Sequence, residues 1–471
     1  MSPTSLRALP LCVVLAACSS TPSPDVIDVT DAQTLDASDI VEAGADVPVD
    51  VAAPDVTDTV LPMRDAASDG PTAQTHIEHV IVLLQENHSF DSYFGAWCTA
   101  PAGSAPTCTA GPACCEAAPA HEPSGASPTP LTDAENATYS PDHTQACELA
   151  EINGGANDRF VTGTACANPR NFAVASTTTL GHYGTYAMQF ALADRYFQPL
   201  AGASSSNDMY FATSQYVFTD NAFEPNALAH GCAGSPALQT YPDPTIADVL
   251  TTAGFSFVAY AEGFDAARRA APGCMRAPSD CALHLAIYPC TYDPSDNPFQ
   301  YYPHFTDNPQ YIADSASLLT DVATGHLPNF AFVRGLGYHS EHPGAQTTIR
   351  DGEAFIDAIV QPVLASPIYA NNTLILITWD ESGGYYDHIA PPAMSPADHQ
   401  PYGPRVPMLA LGHFARTNFV SHVVMEHSSI VKFLEWNFLG TTGQLHGRDA
   451  IVNNIGSMLD PATTGTPVPE N

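Results

Sequence analysis

Apolar residues along this chain cluster in short unbroken runs rather than in strict alternation. Val80–Leu84, Phe255–Tyr260, Asn329–Val333, Thr373–Thr378 and Val406–Leu411 each read as a strand buried on both faces. Between and after them lie stretches of helical period, Tyr183–Asp194, Ile246–Ala253, Thr347–Leu364 and Ser428–Phe438. Strands that alternate with helices in this way predict an α/β fold with a mainly parallel central sheet and helices on both of its faces. No internal repeat interrupts the pattern, so a single domain over 76–460 is expected, with 461–471 as a tail.

Two runs end in an unusual way. The strand of "HVIVLLQENHSFDSYFG" delivers Glu86, Asn87 and His88 at its end, and that of "TLILITWDESGGYYDHIAPP" delivers Asp380 and Glu381 ahead of Gly383-Gly384. Adjacent carboxylates at the end of a buried strand repel unless a cation lies between them. Ligands of open α/β sheets bind at the carboxyl ends of strands. Glu86, Asn87, Asp380 and Glu381 therefore form an all-oxygen set suited to one hard divalent ion. Helix capping by Asn87 and Asp380 would explain one residue at each strand end and leave the other carboxylate without a role.

Charge and cysteine usage change the picture outside the sheet. Fourteen Lys+Arg against fifty Asp+Glu give −36, which excludes the basic surface that a nucleic acid requires. Residues 19–75 hold twelve acids, one base (Arg64) and no aromatic residue, the composition of a self-repelling, disordered tether. Subtracting that segment's −11 and the +1 of Arg7 from −36 leaves −26 for the remainder. The start, "MSPTSLRALPLCVVLAACSS", has an early Arg7 and an apolar run too short to span a bilayer, as in a signal peptide. Leu15-Ala16-Ala17-Cys18 resembles a bacterial lipobox, implying cleavage after residue 17, a lipid anchor on Cys18 and export to the cell envelope. The tether then runs over 18–75. Ten further cysteines, an even number, suit an oxidising compartment, with Cys98–Asn136 expected as a disulfide-pinned insertion.

The motifs "HVIVLLQENHSFDSYFG", "PDHTQACELAEINGGANDRFV", "ADRYFQPLAGASSSNDMYFATSQ", "TIADVLTTAGFSFVAYAEGF", "GYHSEHPGA", "GPRVPMLALG" and "HSSIVKFLEWNF" resemble, in order, those of a bacterial phosphoesterase family. That family contains non-haemolytic phospholipases C and a group of acid phosphatases. The resemblance implies an alkaline-phosphatase-like, three-layer α/β/α fold and hydrolysis of phosphoric esters aided by a divalent metal on Glu86, Asn87, Asp380 and Glu381. It implies a serine nucleophile at Ser204 in "GASSSN", and His143 and His342 as partners of the phosphoryl oxygens and the leaving group. Phosphate esters, small or phospholipid, are the implied substrates. The chain departs from the family twice. His88 stands where Arg is common, and Asp296 in "SDNPF" stands where relatives carry a phosphate-contacting His, with His304 as a possible substitute. A sulfatase would need Pro and Arg after its nucleophile, which "SSSND" lacks. An inactive, surface-bound ligand-binding lipoprotein is the remaining alternative.

Overall fold

A computed structural model describes residues 71–234 and 237–471. The expected signal peptide, Cys18 and nearly all of the tether lie outside the described residues. Within them, eight strands form the central sheet: β1 (His79–Gln85), β2 (Ala191–Ala193), β3 (Phe257–Ala261), β4 (Ile312–Ala313), β5 (Phe330–Arg334), β6 (Thr373–Trp379), β7 (Met408–Leu411) and β8 (Phe419–Ser421). Their spatial order is β8-β2-β7-β6-β1-β5-β3-β4. Every strand runs in one direction except β7, which is antiparallel to both neighbours.

The centre of the sheet explains the apolar runs. All residues of β5 and β6 are buried, as is β1 from Val80 onward. Side chains alternate across the two faces, so neighbouring strands in register send the same pair of positions to the same side. Gln85 and Trp379, paired in register, meet Tyr183 of the long helix Thr177–Gln189. Leu84 is paired with Arg334, and on that face Arg334 and Phe332 meet Asp208 and Phe211 of the helix Ser204–Thr213. Helices thus cover both faces, and the fold is the expected three-layer α/β/α arrangement.

We number the helices used below α1 (Phe90–Phe94), α2 (Gln145–Ile152), α3 (Thr177–Gln189), α4 (Ser204–Thr213), α5 (Ile246–Thr252), α6 (Ser315–Thr324), α7 (Ile349–Leu364) and α8 (His427–Leu439). α4, α5 and α8 pack together on one side of the sheet; α3, α6 and α7 pack on the other. The ends of α5 and α7 are set by side chains. Thr245 and Asp248 form a reciprocal capping box, and Thr348 accepts from the Asp351 N–H, contacts of about 1 kcal/mol each.

Sequence and structure differ at Tyr183–Asp194. The helix there is α3, which begins six residues earlier and ends at Gln189; Ala191–Ala193 are strand β2. The apolar "FALA" reads equally as the end of a helix, but pairing with β7 and β8 decides for a strand. The ten cysteines form five disulfides, Cys98–Cys115, Cys108–Cys114, Cys147–Cys166, Cys232–Cys274 and Cys281–Cys290. Two of them pin the insertion after α1. At the ends of the domain, the Gln74 N–H donates to Asn437 and the Asn454 N–H to Glu470, each through backbone atoms.

Candidate active site

Three adjacent parallel strands, β6, β1 and β5, end side by side, and each ends in polar residues. β1 is followed by Glu86-Asn87, β6 by Asp380-Glu381, and β5 closes on Arg334. All five are buried. The backbone holds the first two pairs together: the Asp380 N–H donates to the Gln85 carbonyl at 3.0 Å, and the Asn87 N–H donates to Asp380 Oδ1 at 2.9 Å. Asn87 is left-handed, with φ 61°. Gly383 lies so close that a Cβ there would stand 2.2 Å from the Asn87 carbonyl oxygen, and its own φ is +65°. Glycine is required on both counts.

The three serines take different environments. They occupy the first turn of α4 rather than a turn ahead of it. Ser204 Oγ lies 3.4 Å from Asn87 Oδ1 and lines a cavity of about 150 Å³. Ser206 Oγ donates back to the Ala203 carbonyl at 2.6 Å, and the Ser205 N–H donates to Asn221.

His143 and His342 are brought together, with ring centroids 6.3 Å apart. His143 Nδ1 donates to the Pro141 carbonyl at 3.1 Å, and Nε2 lies 3.3 Å from the Asn87 amide nitrogen and 3.8 Å from Glu381 Oε1. Burial, then the proximity of His342, lowers its pKa to about 4. It is neutral near pH 7, with the Nε2 lone pair facing the Asn87 amide. His342 donates from Nδ1 to the Pro343 carbonyl at 2.7 Å and lines the cavity beside Tyr288.

The carboxylates have uneven partners. Asp380 Oδ2 and Glu381 Oε1 are buried without a hydrogen bond. Burial pushes Asp380 up to about 6, with Arg334 opposing, and raises Glu381 further, with Asp380 as the next cause. Two orphaned carboxylate oxygens beside an amide oxygen fit a hard cation. Glu86 is more committed: one oxygen accepts from Arg334, the other from the Tyr288 hydroxyl at 2.9 Å. Glu86, Asp380 and Glu381 do not close to within 4.8 Å of one another as a trio. Two acidic groups are that compact among the described residues, and each is held together by the protein itself. Cys147 and Cys166 beside Asp142 are disulfide-bonded, and Asp91, Asp387 and His388 surround Arg405.

Several residues at the site go beyond those the sequence predicts. Arg334 joins Glu86 to Asp208 at 3.0 Å, to Asp296 at 3.6 Å and to Asp380 at 3.8 Å. Asp208 is four residues beyond Ser204, hence on the same helix face. Glu148 of α2 accepts from the Gly202 N–H at 2.7 Å and the Ser382 hydroxyl at 3.0 Å, tying the approach to Ser204 to the exit from Glu381. Glu341 accepts from Tyr93 and Tyr183 at 2.5 Å, Gln85 at 3.1 Å and Trp379 at 3.2 Å, which anchors the residue preceding His342. Arg334 was legible in principle: it too ends a predicted apolar strand.

The two departures resolve differently. His88 is buried and stacks on Tyr385 at 5.2 Å; its Nδ1 lies 2.9 Å from the Glu86 carbonyl oxygen and its Nε2 2.9 Å from Asn136 Oδ1, and the single N–H of the neutral ring donates to one of these two acceptors. Burial lowers its pKa to about 3, so a neutral ring replaces an ion pair. Asp296 does line the cavity. His304 does not compensate for it; it pairs with Asp248 of α5 at 3.0 Å.

The chain is similar in sequence to known proteins. A "Phospholipase C B" of Mycobacterium tuberculosis is 26% identical, covering 85% of this chain and 81% of that one. A "Non-hemolytic phospholipase C" of Pseudomonas aeruginosa is 24% identical over 77% of this chain and 54% of its own length. A solved alkaline-phosphatase-superfamily protein of Vibrio parahaemolyticus overlaps loosely, with a TM-score of 0.35 at 11% identity, covering 81% of this chain and 72% of that one. The phosphoesterase family profile matches residues 77–439. The chain therefore belongs to the phosphoesterase family and is a phosphoric-ester hydrolase.

Proposed function

We propose that this hydrolase cleaves phosphoric esters through Ser204, with one divalent cation held by Asn87, Asp380, Glu381 and, after Arg334 shifts, Glu86. The carrying observation is the Ser204 hydroxyl, 3.4 Å from Asn87 Oδ1 and beside two buried carboxylate oxygens without partners. When bound, the cation supplies charge that neutralises phosphoryl oxygens and favours ionised serine. The protein supplies the rest. Asn87 orients the hydroxyl, and the amino end of α4 presents its N–H groups and partial positive charge toward the phosphoryl group. Neutral His143 holds the Asn87 amide. His342, with Nδ1 committed to Pro343, turns Nε2 toward the cavity and delivers a proton as the P–O bond to the leaving group breaks. Ionisation of Ser204 releases its proton to solvent before attack; the serine phosphoester formed is then cleaved by water, the same histidine accepting the water's proton as the Ser204 oxygen leaves phosphorus with the bonding pair, ionised as before.

The test is turnover of an aryl phosphate, an aryl phosphocholine, a bis-aryl phosphate and phosphatidylcholine, with and without chelator. Ser204→Ala should lower turnover by several orders of magnitude on every substrate, whereas Ser206→Ala, whose hydroxyl is tied to Ala203, should retain most of it. Normal turnover in Ser204→Ala, or indifference to chelator with metal add-back, defeats the corresponding half of the reading. A phospholipid substrate is the second reading, supported by relatives named phospholipases C. Export and a lipid anchor at Cys18 complete the proposal; equal solubility of the native and Cys18→Ser forms on cell fractionation would refute the anchor.

A further inference from the structure

The cavity above Ser204 carries three carboxylates on its wall, Glu86, Asp293 and Asp296. The buried cation of the region, Arg334, does not line it. Arg334 is 4% exposed; one end of its guanidinium is on Asp208 and the other lies by Glu86 and Asp296. Asp293 is held in place by the Ser295 N–H at 2.9 Å and hydroxyl at 2.7 Å. A phosphoryl group presented to Ser204 therefore meets an acidic wall whose counter-charge is turned inward.

We propose that Asp293 and Asp296 select monoanionic phosphodiesters and reject dianionic phosphomonoesters. This rests on the reading above that the phosphoryl group is presented to Ser204. In-line attack leaves three equatorial positions on phosphorus. In a monoester all three are unesterified oxygens that share two charges. In a diester one bears a neutral ester substituent, which is the group that an acidic wall accepts at least cost. Burial raises Asp293 to about 6 and raises Asp296 as well, with Arg334 opposing at Asp296; where they are ionised, one extra negative charge at about 5 Å corresponds to roughly 10- to 100-fold in relative affinity, allowing for solvent screening. The wall acts by excluding the wrong charge state as well as by accommodating the right one.

The test compares kcat/KM for bis(p-nitrophenyl) phosphate and p-nitrophenyl phosphate on metal-loaded enzyme, above the pH at which the monoester becomes a dianion. The wild type should favour the diester. The monoester-to-diester ratio should rise about 10-fold in Asp296→Asn and in Asp293→Asn, and further in Asp296→His, which adds a cationic donor. A ratio within twofold of wild type in both Asn variants, or a wild type that prefers the monoester, overturns the proposal. A second arm does not depend on turnover. In metal-loaded Ser204→Ala protein, calorimetry should show inorganic phosphate binding about 10-fold tighter once Asp296→Asn is added, with a smaller change for diethyl phosphate. Equal responses overturn charge selection even if Ser204 is the nucleophile. An active Ser204→Ala enzyme removes the nucleophile and leaves this binding comparison to decide selection.

Discussion

Replacing Gly383 by alanine separates two effects that usually travel together. Its φ of +65° lies in the left-handed region, and the new Cβ would stand 2.2 Å from the carbonyl oxygen and 2.8 Å from the Cβ of Asn87. The backbone conformation alone costs about 1–2 kcal/mol. Real Cβ contacts do not fall below 3.0 Å, so one of the two strand-end segments must retreat by about 1 Å, and misplacement on that scale costs about 100-fold in rate. Gly154 is the control: its φ is +66°, with nothing within 4 Å of the added Cβ. Gly154→Ala should lose about 1–2 °C in Tm from the backbone term alone, and Gly383→Ala more, because the clash adds to it. Gly383→Ala should in addition lose about 100-fold in kcat/KM on the bis-aryl phosphate and bind metal more weakly by calorimetry. If the two variants match in activity and metal affinity, the close approach of Gly383 to Asn87 does not align the site.

Two further outcomes follow from buried acids. In metal-free protein Asp380 is raised to about 6, while the unfolded chain ionises near ~3.9. Between those values the folded form holds more protons, so the Asp380 contribution to stability is present below the lower value and lost as pH rises through the upper one. Denaturation midpoints in chelator from pH 4 to 7 should therefore fall more steeply in wild type than in Asp380→Asn; parallel profiles would refute this. Glu341→Leu strands the donors of Tyr93, Tyr183, Gln85 and Trp379. It should destabilise by about 3–5 kcal/mol, whereas Glu341→Gln should cost much less, as read by thermal melting.

The centre of the sheet was legible because doubly buried strands leave continuous apolar runs, and β1, β5 and β6 were found to within two residues at each end. The edges were not. Ala191–Ala193 and Ile312–Ala313 are too short to show a period, and only pairing makes them strands. At the site, Glu86, Asn87, Asp380 and Glu381 stood out because charge at the end of an apolar run is anomalous within a few residues of sequence. Asp208 and Arg334 are 126 positions apart. Nothing local announces that they meet; the helix α4 and strand β5 must first be folded onto one another.

The parallel register of β6, β1 and β5 divides the chain into parts that can drift and parts that cannot. Leu84 is paired with both Thr378 and Arg334, so a single deletion within any of these strands would turn its terminal side chains to the opposite layer and dismantle the cluster. The disulfide-pinned stretch between Cys98 and Cys115 feeds none of these three registers and touches the sheet at its far edge, on Phe419 and Val420. Variation in recognition is therefore cheapest in the insertions and most expensive in a few strand-end residues. An engineer seeking new substrates has the loops as raw material and the strand-end residues as a fixed socket.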